Sequence, residues 1–294
     1  MGYCISATIT AMKTTTIISF IAALVAAPVQ TAPAAVASQR IVSINMCTDE
    51  LLLALADPGQ IVALSPYAAD PAMSFLADKA ANYRHDVAEA EAVVSLHPDL
   101  VLSGSFSSQA TQQMLTRLGY RLALFDGPSS VDESIAQIRN VAALVGHPER
   151  GAALIGKIEA ARKAAVATAR GRPQVSAVVY QRRGYVTGGD TLTGELLTDA
   201  GIRNMGGTLA GPTGGFVPLE SLVADHPDAI VVSTPDPRAE DQGTALLSHP
   251  ALVALYPPSR RIVLPQRLVV CGGPSLPAAF AWVAREAARV ELGH

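Results

Sequence analysis

The chain has 294 residues, 49% of them hydrophobic, with 22 basic against 25 acidic side chains and a formal charge of −3. It has no basic cluster and only 5% aromatic residues, which excludes a platform for nucleic acid. The aliphatic fraction is enough to bury the core of two lobes of ordinary domain size.

The N-terminus has the parts of an export signal: Lys13 as the positive charge, Ile17 to Ala27 as the apolar core, and Ala35-Val-Ala37 as an A-x-A cleavage site. The apolar run is shorter than the roughly 20 residues of a membrane span. Met12 offers a second start, because the residues before it add nothing a signal needs. Cys4 lies ahead of the apolar core, so no cysteine stands at the cleavage region to carry lipid. The expectation is a periplasmic protein whose mature chain begins near Ser38.

After residue 37 the first half alternates strands and helices. Strands are expected over 40–44, 61–64, 100–102 and 121–125. A helix is expected over 49–56, opening at Thr48, with Asp49 and Glu50 complementing the helix dipole. A second helix is expected from Ala110 to Leu118, stopped by Gly119. This alternation predicts a parallel sheet with helices on both faces. Residues 131–170 are helical throughout apart from Gly146-His-Pro148, and the stretch from Pro148 to Ala169 reads as one long helix of about six turns. The second half resumes with strands over 175–179, 229–232 and 261–264, a helix from Glu195 to Ala200, and a closing helix from Pro274 to Leu292. The expected organisation is a removed signal (1–37), an N-terminal α/β lobe (38–145), a linking helix (146–172) and a C-terminal α/β lobe (173–294).

A repeat supports the two lobes. Glu91-Ala-Val-Val-Ser-Leu-His-Pro-Asp99 and its apolar run Leu100-Val-Leu102 return as Glu220-Ser-Leu-Val-Ala-Asp-His-Pro-Asp228 and Ala229-Ile-Val-Val232, with a constant offset. Proline ends each helix and forces the turn, and the β-branched run that follows is a strand covered on both faces. Two copies of one supersecondary unit predict two similar lobes with a ligand cleft between them. His97 and His226 in the turns suit the C-terminal ends of helices. Glu91 and Glu220 occupy matching exposed positions. Singly each is solvated surface, but as a symmetric pair they suit two positive sockets of a two-fold partner.

Ligands of parallel sheets meet the loops at the carboxyl ends of strands. In the first half those loops hold Cys47, Thr48, Pro66, Tyr67, Ser105 and Phe106. In the second they hold Tyr180, Arg182, Arg183, Tyr185, Phe216, Thr234-Pro-Asp236, Val269 and Cys271. Guanidinium groups fit carboxylate or catecholate oxygens, and tyrosine supplies a flat wall with a polar tip. Strand alternation expects one of Arg182 and Arg183 to point away from the cleft. For Cys47 and Cys271 three readings stand: inert buried thiols first, a disulfide second, soft-metal ligands with Met46 third. The G-x-S-x-G, H-E-x-x-H and P-loop patterns are all missing, so the enzyme reading has no residues to stand on.

The Arg40-Ile-Val-Ser opening strand, the paired Glu-to-Pro-Asp repeats, the long joining helix, and Leu196-Leu-x-x-Ala-Gly201 with Asn204 resemble the substrate-binding proteins of iron-complex and cobalamin ABC importers. The resemblance runs from about Arg40 to the C-terminus. It implies two Rossmann-like α/β lobes with parallel sheets joined by a single long helix (class III, chelatase-like) and a shallow cleft that carries a metal chelate unaltered. The partners it implies are an ABC permease and its ATPase, with no cofactor of the protein's own. One glutamate per lobe docks on permease arginines in such proteins, and Glu91 and Glu220 fall at those positions. Siderophore binders place Arg and Tyr in the second lobe, which Arg182 and Tyr185 satisfy. Cobalamin binders line the cleft with aromatics, and heme binders use an axial Tyr or His. A ferric siderophore carrier is the first expectation. A corrinoid carrier comes second, and a heme carrier or an exported sensor module follows.

Overall fold

Two four-stranded parallel sheets with one strand order organise the computed structural model, which describes residues 1–3, 39–105, 107–233, 247 and 249–291. The signal expected at 1–37 lies almost wholly outside the described residues, as do Phe106, the Thr234-Pro-Asp236 loop and the end of the closing helix beyond Glu291. Residues 38–294 form one unit by contact density.

The first half runs β1 (Ile41–Ser43), α1 (Met46–Leu55), β2 (Ile61–Ala63), α2 (Ala77–Ala80), α3 (Ala90–Ser95), β3 (Leu100–Ser103), α4 (Gln109–Arg117), β4 (Leu122–Leu124) and α5 (Val131–Leu144). The long helix α6 (Pro148–Ala169) leads into the second half. There β5 (Val175–Val179), β6 (Tyr185–Thr187), α7 (Leu192–Asp199), β7 (Ile202–Asn204), α8 (Gly206–Ala210) and β8 (Gly214–Phe216) come first. They are followed by α9 (Leu219–Asp225), β9 (Ala229–Ser233), α10 (Pro250–Leu255), β10 (Arg261–Leu264) and α11 (Leu276–Glu291).

The sheet orders are β2-β1-β3-β4 and β10-β9-β5-β7. They coincide when β1, β2, β3 and β4 are matched with β5, β7, β9 and β10, so the sequence repeat is a repeat of topology. Every expected strand forms. Two features were not expected: β7, whose only buried residue is Ile202, and the antiparallel ribbon of β6 and β8. The Asp of each repeat has one job in both lobes. Asp99 accepts the Arg40 amide at 2.7 Å just before β1, and Asp228 accepts the Ser176 amide at 2.8 Å in β5. His97 and His226 both take the left-handed conformation, at φ 47° and 40°, that turns the chain out of α3 and α9.

Helix α1 opens at Asn45, not Thr48. The Asn45 side-chain oxygen accepts from the Cys47 amide at 2.9 Å and the Thr48 amide at 3.4 Å. Asparagine is among the best N-cap residues. The Thr48 hydroxyl is turned inward onto Ser43 and the Asn45 carbonyl.

The joining helix is not a bare spacer. Ile155 and Ile158 of α6 share one core with Ile41, Leu52 and Leu100 of the first sheet layer, Leu196 of α7 and Phe280 of α11. Helix α11 spans both halves: Leu276 to Phe280 lie in that core, and Val283, Ala287 and Val290 in the core under the second sheet. Arg162 of α6 reinforces the joint, reaching Glu195 at 2.5 Å and Asp199 at 2.7 Å on α7. Glu195 also accepts the Val131 amide at the start of α5, so one carboxylate links three helices. Replacement Arg162→Ala is expected to lower unfolding free energy by about 1.5–3 kcal/mol, the scale of hydrogen bonds to charged groups. Urea denaturation checks this, and an unchanged midpoint would deny the joint its role.

Candidate functional site

The segments that follow β1 and β10 meet, and a covalent bond joins the two halves there. Cys47, in the first turn after β1, is disulfide-bonded to Cys271 in the loop after β10, with Cα atoms 4.9 Å apart. The thiol and soft-metal readings of these residues therefore give way to the second reading, and neither cysteine offers a free sulfur to a ligand. Spacing of 224 residues hid the pairing, because only the fold brings the two loops together.

The next residues of the second-lobe loop pack into the first lobe. Gly272 and Gly273 adopt φ 68° and 64°, and the Gly273 amide donates to Ser134 Oγ of α5 at 2.8 Å. A Cβ on Gly273 would press on Leu51 of α1, so glycine serves here for both conformation and clearance. Val269 is half-buried between the two cores.

Several expected lining residues turn inward. Thr48 is buried with its hydroxyl satisfied, so it offers the cleft no surface. Tyr180 is 0% exposed, in the core under the ribbon, and is no cleft wall. Burial raises its hydroxyl above the usual tyrosine range, with Glu220 as a lesser cause. Arg182, Arg183 and Gly184 form one 3₁₀ turn rather than a strand, so alternation does not apply and both arginines are exposed. Arg183 sits at φ 58°.

Other expected residues reach the surface. Tyr67 is 63% exposed on the loop after β2, beside exposed Pro66. Ser105 is exposed after β3. Phe216 is 73% exposed at the end of β8. Tyr185 packs against it across the ribbon, edge to face, with ring centroids 5.4 Å apart. The Tyr180–Val186 bridge plants that ribbon at the carboxyl end of β5. Glu91 and Glu220 are each the second residue of their helices, α3 and α9, and both are exposed. Among the described residues no group of three or more His, Cys, Asp or Glu is arranged to hold a metal.

Sequence reading missed a pair of buried acids. Asp49 and Glu50 are 0% exposed on α1, not solvated dipole partners. Asp49 accepts from the Ser65 amide at 3.2 Å and the Ser65 hydroxyl at 2.5 Å. Glu50 accepts the Phe75 amide at 2.7 Å, while its second oxygen has no partner. Burial pushes Asp49 up to about 7 and Glu50 up to about 8, against hydrogen bonds that pull both down. Adjacent Asp49 adds to the rise at Glu50.

These features define a two-lobed α/β binding protein with its candidate site on the loops at the joined carboxyl edges. The sequence pattern of the periplasmic binding protein family matches residues 41–256, and the chain belongs to that family of binding proteins, not enzymes. A cobalamin-binding protein of Halobacterium salinarum is 24% identical over 222 residues, covering 73% of this chain; the chain spans 59% of that relative's length. A periplasmic heme-binding protein of Roseiflexus sp. RS-1 in apo form superimposes with a TM-score of 0.68 at 25% identity, covering 85% of this chain and 99% of the other. The vitamin B12-binding protein of Vibrio cholerae superimposes at 0.66 and 16% identity, covering 88% and 99%, a likeness of fold. Among the described residues no helix is long and apolar enough to cross a membrane.

Two outcomes follow from the joint and the acids. Removing the disulfide by Cys47→Ser with Cys271→Ser is expected to cost about 2–4 kcal/mol of stability; urea unfolding with and without reductant tests it, and equal curves would sink it. Asp49 and Glu50 hold protons more tightly folded than unfolded. Their stabilisation is therefore complete below the ordinary values of 3.8 and 4.5 and is lost as pH rises through about 7 and 8. Thermal scans from acid to alkaline pH should show a steeper loss for the native chain than for Asp49→Asn/Glu50→Gln, and parallel curves would contradict it.

Proposed function

We propose that the protein is the periplasmic substrate-binding component of an ABC importer, exported by its N-terminal signal, carrying a metal chelate of the tetrapyrrole class, corrinoid or heme. The observation that carries this reading is the placement of exposed aromatic rings on carboxyl-edge loops of both lobes: Tyr67 in the first, Phe216 braced by Tyr185 in the second. Large exposed aromatics are costly in water and suit the flat face of a macrocycle. The names of the cobalamin-binding relative and the heme-binding structural neighbour support the same ligand class. Glu91 and Glu220, at equivalent positions on equivalent short helices, supply the two-fold anionic contacts to permease arginines.

A ferric siderophore is the second reading. It is favoured by two exposed guanidinium groups on the single turn 182–184, beside Tyr185, a combination that fits catecholate oxygens.

Titration with cyanocobalamin, hemin and a ferric catecholate separates the readings, with metal analysis of natively isolated protein as the parallel check. Tyr67→Ala or Phe216→Ala should weaken a tetrapyrrole at least tenfold, about 1.4 kcal/mol, with Arg182→Ala near neutral. The reverse pattern would favour the siderophore. In a transport assay Glu91→Ala with Glu220→Ala should abolish uptake at unchanged ligand affinity; a fall in affinity would refute the docking role.

A further inference from the structure

The loop from Ser65 to Phe75, which carries Tyr67, is tied at both ends to two consecutive residues of α1. Its first residue gives backbone and hydroxyl hydrogens to Asp49, and its last gives a backbone hydrogen to Glu50. Between the ties its backbone hydrogen bonds are local, such as Ala68 to Ser65, Asp70 to Tyr67 and Ser74 to Asp70, and Ala68 is buried in the core. The two carboxyls therefore fix the two ends of the loop on either side of Tyr67. Asparagine and glutamine would satisfy the same three donors without charge, yet the chain has acids here.

We propose that Asp49 and Glu50 are positioning residues for the Tyr67 loop, holding it while protonated and releasing it when the buried pair ionises. This rests on the assignment of Tyr67 to the ligand wall.

The surroundings decide which state holds. The groups acting on Asp49 are Ser43 and Ser65, and those acting on Glu50 are the Phe75 amide, Ser74 and Asp49; no cation is among them. Charged groups on the elements packed against α1 serve elsewhere. Lys79 of α2 donates to the Leu53 carbonyl and Arg150 of α6 to the Leu55 carbonyl, both farther along the helix. From α5 come Asp132, Glu133 and Arg139, of which Glu133 is engaged by Ser129. Strand β1 and the turn Gly273–Ser275 bring no charge. Two anions on adjacent buried residues without a counter-ion repel each other and lack hydration. A proton on Glu50 removes that cost and supplies a donor beside the Ser74 hydroxyl, which is otherwise buried without a partner, like the second Glu50 oxygen. Elevation of both groups into the neutral range by burial agrees with this arrangement. The sign is fixed: acid conditions hold the loop, and alkaline conditions free it.

The test compares the whole mature chain with Asp49→Asn/Glu50→Gln. Hydrogen exchange is followed in ligand-free protein from about pH 6 to about pH 9.5, using peptides spanning 64–76 with an α6 peptide as internal control. The native-to-variant rate ratio cancels the intrinsic pH dependence of exchange. The expected ratio is near one at the acid end and about tenfold or more at the alkaline end for the loop alone. A ratio flat across pH, or one rising equally in α6, overturns the proposal. If the double variant does not fold, Glu50→Gln alone and the native loop-to-α6 ratio read the same effect. Affinity for cyanocobalamin and hemin is measured across the same range. A native-only loss of affinity at high pH supports latch and ligand role together. Loop release without any loss of affinity upholds the latch and removes Tyr67 from the binding site.

Discussion

The bond between Cys47 and Cys271 and the packed strap beside it set the geometry of everything else. A parallel sheet gathers its loops at one edge, and here a loop from each of two separate sheets is tied to the other by one bond. Gly272 and Gly273 let the second-lobe loop run against α1 and α5 without side chains in the way. Helix α11 then carries the chain from one core into the other, and α6 packs in the same core. With a covalent tie, a shared core and the Arg162 carboxylate cluster, wide hinge closure has little room. Ligand capture falls instead to the loops, where small movements are cheap. A disulfide at this position also fits a chain built for an oxidising compartment.

Duplication explains why the site is two-sided. Each lobe uses the same device: a short helix, a left-handed histidine, a proline, and an aspartate that clamps the amide leading the neighbouring strand. That device places Glu91 and Glu220 at the same point of equivalent helices. The lobes then diverge at their carboxyl edges. The first offers a loop held by buried acids, and the second an antiparallel ribbon with no counterpart among the described residues of the first. Conserving the frame while varying the edge is how one architecture serves ligands of different shape.

Among the described residues the chemistry of the edge is spare. Exposed aromatic surface comes from Tyr67 and Phe216, charge from Arg182 and Arg183, and the remaining polar side chains are largely spent on the fold: Asn45 on a helix cap, Ser134 on the strap, Thr48 on Ser43.

By itself the sequence determined the strands of both sheets except β7, the long helix, the twofold repeat and the matching glutamates. Each rests on local pattern: β-branched runs, proline and glycine stops, and a motif repeated at constant spacing. It also placed Tyr67 on the loop after β2, whereas Tyr185 and Phe216, expected on loops, belong to the strands of the ribbon. Only the tertiary structure decided which loop residues face outward. Tyr180 and Thr48 turn in, because the ribbon and Ser43 cover them, and Arg182 and Arg183 both turn out, because residues 182–184 form a 3₁₀ turn to which strand alternation does not apply. The disulfide and the burial of Asp49 and Glu50 belong to the same category. Each depends on partners tens to hundreds of residues away, and proximity of that kind is a property of the packed chain that no local window of residues carries.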